Sequence, residues 1–600
     1  MTRRKVPRGT VRRAPLLVLL LLFAVTFRGV LFRLDEGFIG RYYVDAWGTQ
    51  WFYWFAELTL KRDALLDGAL FFYPWGKDVY SHTGGNVLDA LLAVPLRQLL
   101  GPVLGYNCFV FLILGTNIWG MRRLCGELGA GAFAAWLSGI LFAFNPFLLT
   151  ELRDGRPTQA MMVFALLFWQ YWLRAGRGWK PTVLAGVFLA LTGITYWYYA
   201  ILAAPAGLAL TLFDRGQGAF RARILAGVVA GVLVAPFALG MLTQDEVPGL
   251  FDTSLWSATT WSPMTLDGMP VGILAFDPIR RMSGFWIIDP DGTRVFTPEW
   301  VSVLYVQAGL AVAGLWFASP RIRLIGLCIL VPSLLISVGP EWMGIPNTPY
   351  LLAVKLVRVL QRLWWPARAL VLVHIGLTIL SLGVWERLAE WPRSRAVASL
   401  IVAVAWLADL KTATLAPMPA WSSAIPKVYE CLAKDPERAP VFELPYAYTQ
   451  AHLYYQTVHK HPIFGGMIED NKIFTPEKQQ VMRLENSFIK GLIDLADAKN
   501  TSRAISEEDK AAVGKLGYRW VVLDKMPYRN PPAFPEARPR THYSEVRAAL
   551  EANLGFPVFE DDSGAIWAPW GGRSPCGTAT SEKPSRRSLK RRERTDAANP

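Results

Sequence analysis

The sequence predicts a mainly α, polytopic helical membrane domain of about eleven spans, followed by a small extracytoplasmic α/β domain. Of the 600 residues, 52% are hydrophobic and only 18% are charged, where soluble proteins carry about 25% charged residues. The apolar residues gather in runs of about 16–20, the length that crosses a bilayer core. Basic residues fall at alternate junctions between these runs, the pattern of the positive-inside rule.

Residues 1–13 form a basic N-terminus that is expected to be cytoplasmic. Ala14–Phe27 is Leu-rich and no small-x-small cleavage site follows it, so it reads as an uncleaved first span, with Arg28 snorkelling to the outer interface. Spans are expected near 14–32, 104–121, 130–149, 158–174, 181–197, 198–213, 224–243, 301–318, 324–339, 369–386 and 396–414. Val87–Leu100 is too short to cross, carries Asp89 and Arg97, and is broken by Pro95. It reads as an interfacial or re-entrant helix. Counting it as a span would place Arg122 and Arg123 outside. Leaving it out puts Arg12 and Arg13, Arg122 and Arg123, Arg174 and Arg177, Arg221 and Arg223, Arg321 and Arg323, and Arg387 and Arg395 all inside.

The resulting organisation is a membrane domain over 14–415 with outer loops at 33–103, 150–157, 244–300 and 340–368. A soluble α/β domain over 416–570 and a basic, disordered tail over 571–600 follow, both outside a cytoplasmic (inner) membrane. In the soluble part APVFELP and YRWVVLDK read as strands, and GFPVFEDDSGAIWAPW reads as a hairpin turning at Asp562-Ser563-Gly564. Helices are expected near 474–498 and 544–553. The net charge of +15 lies mostly beside the spans and in the tail. Membrane topology and anionic headgroups explain it, and nucleic acid is excluded as a partner. The five cysteines, Cys108, Cys125, Cys328, Cys431 and Cys576, form no CxxC pair and give neither a disulfide framework nor a zinc site.

Candidate chemistry sits in the outer loops. Asp45 lies in GRYYVDAWGTQWFYWF among Trp47, Trp51 and other aromatics, whose faces suit sugar rings and equally suit a membrane interface. His82 follows in a turn-rich stretch. The second loop, FNPFLLTELRDGRPTQ, places Glu151 and Asp154 at the exit of one span. Two carboxylates there could do acid/base work, while Asp154 could instead cap the next helix. Arg358, Arg362 and Arg368 are basic on the outer side, against the general trend. A guanidinium pairs with phosphate in a two-bond fork, and headgroup snorkelling is the other reading. If their segment is extended, His459 and His461 would share one strand face, but no neighbouring Cys or HExxH pattern makes them metal ligands. Asp289-Pro290-Asp291-Gly292 reads as a turn.

Over about residues 14–415 this layout resembles the GT-C superfamily of membrane glycosyltransferases, which use polyprenyl-phosphate-linked sugars. The resemblance is carried by Asp45 in a long first outer loop, FNPF…DGRPTQ after the third span, PNTPY…RLWWPAR before a late span, and a soluble C-terminal domain on the side of the acids. It implies an inverting transfer in which Asp45, with Asp154 as the second acid, is catalytic. Arg362 or Arg368 would neutralise the leaving phosphate. Arg358, Trp47, Trp51, His82, Glu151 and Arg156 are the implied substrate-binding set, with Arg156 standing where family members often carry His. The implied partners are a polyprenyl-phosphate-linked sugar, the lipid bilayer, and a glycan, lipid or protein acceptor. No cofactor is fixed and no residue is assigned to a metal. The first loop has no DxD or ExD motif, and a divalent ion stays open. The alternative is a transport-type or non-enzymatic multi-pass protein with an outer lid domain, which would need a polar route across the midplane.

Overall fold

The structure, a computed structural model, describes residues 13–41, 44–61, 69–77, 87–214, 218–242, 303–337, 347–356, 366–391, 394–412, 415–446, 451–466, 475–496, 506–525 and 543–576. It also gives the backbone of the short strands β2 (Thr265–Leu266), β3 (Met269–Pro270), β4 (Ser283–Ile288), β5 (Arg294–Trp300), β6 (Glu341–Trp342) and β7 (Ile345–Pro346). The chain divides into two compact units, one of Met1–Gly68, Lys77–Ala424 and Ala533–Glu536, the other of Ala69–Gly76, Ile425–Pro532 and Ala537–Pro600.

The first unit is helical. Its elements begin with α1 (Arg13–Phe27), β1 (Gly37–Ile39), α2 (Val44–Leu60), α3 (Leu88–Leu100), α4 (Pro102–Glu127), α5 (Ala132–Ala143), α6 (Pro146–Arg153), α7 (Pro157–Ala160) and α8 (Val163–Trp172). They continue with α9 (Trp179–Thr195), α10 (Trp197–Phe213), α11 (Ala219–Leu242), α12 (Tyr305–Phe317), α13 (Pro320–Ser337), α14 (Thr348–Leu356), a 3-10 turn at Pro366–Ala369, α15 (Leu370–Ala389) and α16 (Arg395–Thr412). Each window expected to span contains one of these helices. Among the described residues, five helical segments, Pro102–Glu127, Ala132–Arg153, Ala219–Ala238, Pro320–Ser337 and Leu370–Ala389, are long and apolar enough to cross a membrane, and four shorter apolar helices accompany them. The chain is thus a multi-pass membrane protein.

Small residues let these helices close on each other, as van der Waals packing in lipid favours. A Cβ on Gly314 of α12 would overlap Leu380 of α15, and one on Gly383 of α15 would overlap Ala318. Irregular backbone between helices is satisfied by buried amides on α4. Asn107 accepts from Ile39 N–H (2.8 Å) and donates to the carbonyls of Leu34 and Gly37 (2.8 Å each). Asn117 donates to Ala160 O (2.8 Å) and accepts from Met162 N–H (2.9 Å), bridging the break between α7 and α8. β1 pairs antiparallel with β8 (Ala420–Ser422), Phe38 opposite Trp421. In the stretch between α11 and α12, Ser283–Ile288 and Arg294–Trp300 form an antiparallel hairpin, and the turn expected at Asp289–Gly292 lies outside the described residues.

The second unit is built on a four-stranded sheet of order β11-β12-β10-β9. Its strands are β9 (Val441–Leu444), β10 (Trp520–Asp524), β11 (Phe559–Glu560) and β12 (Gly564–Trp567). β9 and β10 run parallel, and β12 is antiparallel to both β10 and β11. The β11–β12 turn forms because the Asp561 carboxylate accepts from Ser563 N–H (2.8 Å) and Gly564 N–H (3.2 Å). α20 (Ser487–Ala496), one of the helices packed on the sheet, sets Phe488, Ile489 and Leu492 against Phe442, Val521 and Leu523. Ala69–Gly76 joins this unit through Phe72 N–H to Gly465 O (2.9 Å) and Ile463 N–H to Leu70 O (2.9 Å).

Two expectations differ from what is observed here. His459 ends a helix (Ala451–His459) and Lys460 follows at φ 62°, so His459 and His461 do not share a strand face. His461 sits instead between the carbonyl oxygens of Ala439 (2.6 Å) and Leu432 (3.0 Å). Cys431 and Cys576 form a disulfide with Cα atoms 5.3 Å apart. Their separation of 145 residues left no local spacing by which the pairing could be read.

Candidate active site

The candidate site is assembled from α2 and the turn after α6. Asn145 caps α6 by accepting from Leu148 N–H (2.9 Å), and Pro146 occupies its first turn, where a missing N–H costs nothing. Asp154 ends that helix rather than capping the next one, whose first flanking residue is Arg156. Gly155 then adopts φ 74°, and a Cβ there would overlap Ala46 of α2. Close backbone approach therefore fixes how α2 sits on the turn.

One face of α2, at four-residue spacing, meets the segment 154–158. Asp45 Oδ2 lies 3.6 Å from Arg156 Nη1. Thr49 Oγ1 donates to Gly155 O (2.7 Å). Tyr53 Oη donates to Asp89 Oδ2 (2.9 Å), which also accepts from Thr158 Oγ1 (2.5 Å). A neighbouring face is clamped by Arg97, which bonds Gln50 Oε1 (2.9 Å) and Glu57 Oε1 (2.6 Å).

Arg156 is the hub. Its guanidinium meets Glu151 (2.8 Å) and Asp154 (2.9 Å) besides Asp45. Asp154 is fully buried and also meets Arg41 (2.7 Å) and Arg153 (2.9 Å). Burial pushes against its charge, but the guanidiniums of Arg153, Arg156 and Arg41 outweigh it and hold the carboxyl below its usual range. With its oxygens taken by guanidiniums, Asp154 is placed to orient Arg156. Asp45 is different. It keeps 42% of its side-chain exposure, and desolvation by the surrounding protein raises its pKa against the pull of Arg156 and Arg368. It is the acid of this cluster that a ligand can reach.

Arg368 ends the 3-10 turn before α15, and its Cζ lies 5.0 Å from the ring centroids of both Tyr196 and Tyr198. The structure therefore brings Asp45, Glu151, Asp154, Arg156 and Arg368 into one electrostatic cluster. Trp47 and Trp51 are 6% and 1% exposed, and Trp51 stacks on Phe55 at 5.0 Å. Both anchor α2. His82, Arg358 and Arg362 lie outside the described residues. Sequence reasoning missed Arg41, Arg153, Thr158, Tyr196 and Tyr198. A usable signal was the TYWYY run at the junction of two expected spans. Among the described residues, no three His, Cys, Asp or Glu side chains come close enough to hold a metal ion.

No family model and no curated protein matches the chain in sequence. Among solved structures it is similar to arabinofuranosyltransferase AftD from Mycobacteria, with TM-score 0.51 and 15% identity over 96% of this chain and 42% of AftD. The chain thus spans less than half the length of that enzyme. Weaker likenesses are to the oligosaccharyltransferase AglB from Archaeoglobus fulgidus (TM-score 0.48, 10% identity, 86% of this chain and 69% of that one) and to ArnT from Cupriavidus metallidurans bound to undecaprenyl phosphate (TM-score 0.40, 12% identity, 96% and 100%). A helical membrane unit whose acids gather on α2 and the turn after α6 thus shares its fold with the solved structure of arabinofuranosyltransferase AftD.

Proposed function

We propose that the protein moves a sugar from a polyprenyl-phosphate donor to an envelope acceptor on the outer side of the cytoplasmic membrane. The observation that carries this reading is Asp45: a partly exposed carboxylate with a raised pKa, held 3.6 Å from a buried Arg156 and within electrostatic reach of Arg368. A carboxyl held above its ordinary range is the better proton acceptor. Asp45 would take the proton of an acceptor hydroxyl as its oxygen attacks the anomeric carbon. The bond from that carbon to the phosphate oxygen breaks with inversion, and the lipid phosphate leaves with the electron pair. The same carboxylate stabilises the oxocarbenium-like transition state, and Arg368 stabilises the departing phosphate. Glu151 and Asp154 act by fixing Arg156, and Arg156 by fixing Asp45.

The test is Asp45→Asn, which keeps the shape and removes the base. Purified protein in nanodiscs, given a radiolabelled polyprenyl-phosphate sugar and membrane acceptor, is expected to lose transfer by a factor of about 10² or more with an unchanged melting temperature. Wild-type transfer by this variant would remove Asp45 from the mechanism.

A further inference from the structure

Several basic residues at the junctions expected inside are neutralised by a carboxylate: Arg174 and Arg177 by Glu127, Arg223 by Asp214, and Arg387 by Glu390. Arg122 and Arg123, adjacent near the end of α4, are not. Among the described residues neither forms an ion pair, and each lies on an aromatic ring. The guanidinium carbon of Arg122 is 4.8 Å from the ring centroid of Trp136 on α5. That of Arg123 is 5.0 Å from Trp119, one turn back on α4, and its Nε–H donates to Gln170 Oε1 on α8 (3.2 Å). A ring takes the face of a guanidinium and leaves N–H edges for an acceptor. The carboxylates at this end of the unit are engaged elsewhere: Glu127 holds Arg174 and Arg177, and Glu386 accepts from Gly131 N–H (2.5 Å).

The surface of α4 leading to these arginines is shaped for a lipid chain. Leu112, Gly115, Trp119 and Arg123 recur at three- to four-residue spacing, so they line one face of the helix. Leu112 and Trp119 are 49% and 41% exposed, and a Cβ on Gly115 would meet nothing within 4 Å. The rise from Leu112 to Arg123 is about 16 Å, close to the depth of one leaflet in a hydrocarbon core of about 30 Å. An exposed apolar stripe of that length ending in two cations has the outline of a phospholipid, with an acyl chain on the stripe and a phosphate at the arginines. In the topology expected from sequence this end of α4 faces the cytoplasm, so the leaflet is the inner one.

We infer that Arg122 and Arg123 form a headgroup site for an anionic phospholipid of the cytoplasmic leaflet, with an acyl chain along Leu112, Gly115 and Trp119. Two cations without a carboxylate select a headgroup of net negative charge, because a zwitterionic headgroup brings its own ammonium to the same place. The lipid would brace α4, whose Asn107 and Asn117 hold the backbone of β1 and of the break between α7 and α8. The site is independent of the transfer reaction proposed above.

The experiment titrates the purified full chain in detergent with phosphatidylglycerol or phosphatidylcholine of matched acyl chains and resolves single bound lipids by native mass spectrometry. Wild type is expected to bind its first phosphatidylglycerol more tightly than its first phosphatidylcholine. Arg122→Gln and Arg123→Gln should each cut that preference about fivefold and leave phosphatidylcholine binding unchanged. Arg321→Gln removes an exposed cation from another junction and should keep the preference. Both lipids are compared on one protein sample, so a variant that is merely less stable loses both alike, and that result would overturn the site. No preference in the wild type, or an unchanged preference in both α4 variants, overturns it too. Equal losses in Arg321→Gln and Arg123→Gln would mean that total surface charge draws the lipid, and would again overturn the site.

Discussion

Asp89 shows how much a single buried carboxyl can be asked to do. It lies on α3, which reads as an interfacial helix outside the expected spans, and it is fully buried. Burial raises its pKa to about 6, against the hydroxyl bonds from Thr158 and Tyr53 that favour its charge. The folded protein therefore holds this proton up to about pH 6, whereas an unfolded Asp releases it near pH 3.9. Between those values the folded state binds more protons, so this group's contribution to stability is full below the lower value and is lost as pH rises through the upper one. Asp89→Asn cannot titrate. Its melting temperature in detergent is expected to equal or exceed wild type at pH 7.5 and to lose that advantage near pH 4.5. An identical pH slope in the two proteins would mean that Asp89 does not carry the effect. At this scale the sequence was informative about residue type: acids and arginines in outer loops are conspicuous. It could not show which oxygen meets which guanidinium. Arg41 and Asp154 are 113 positions apart, and tertiary packing brings them together, with Arg41 N–H donating to Arg153 O (2.7 Å).

Among the elements, α2 matters most, and its placement depends on one contact without a side chain. Gly155 needs a positive φ and has Ala46 against it. The DGRP run announces a turn, but nothing local says what packs on the turn. Gly155→Ala is expected to push α2 outward by a few tenths of an ångström to about 1 Å, and a misplacement of that size costs catalysis up to about 10²-fold. Transfer rates should fall while helix content by circular dichroism stays the same. Normal activity in this variant would show that the Asp45–Arg156 geometry tolerates slack. Other elements were legible because their signals are local. Short apolar runs bounded by turn residues gave β9, β10 and β12, and Pro95 with two charges set α3 apart from the spans. The helix Ala451–His459 was not legible because so short a stretch has no strong period.

For the whole molecule, two independent features bear on sidedness. Basic residues cluster at alternate junctions. Arg174 and Arg177, after α8, also clamp Glu127 at the end of α4 (2.5 and 2.9 Å), so two junctions assigned to the cytoplasm are joined to each other. The second unit contains the Cys431–Cys576 disulfide, a bond that persists in oxidising compartments and is rare in the cytosol. Hydropathy read along the chain supplied the spans and charge supplied their direction, but the disulfide needed the fold, since its partners are joined only when the sheet has formed. Both features are those expected of a second unit that lies outside, and cysteine labelling in spheroplasts tests it. Glu437 and Arg177 are exposed by 64% and 54% of their side chains, so Glu437→Cys and Arg177→Cys are reachable by reagent from their own side. A membrane-impermeant maleimide is expected to label Glu437→Cys directly and Arg177→Cys only after permeabilisation. In the wild type, Cys431 and Cys576 should react only after reduction. The reverse pattern would invert the topology, and with it the side on which Asp45 meets its acceptor.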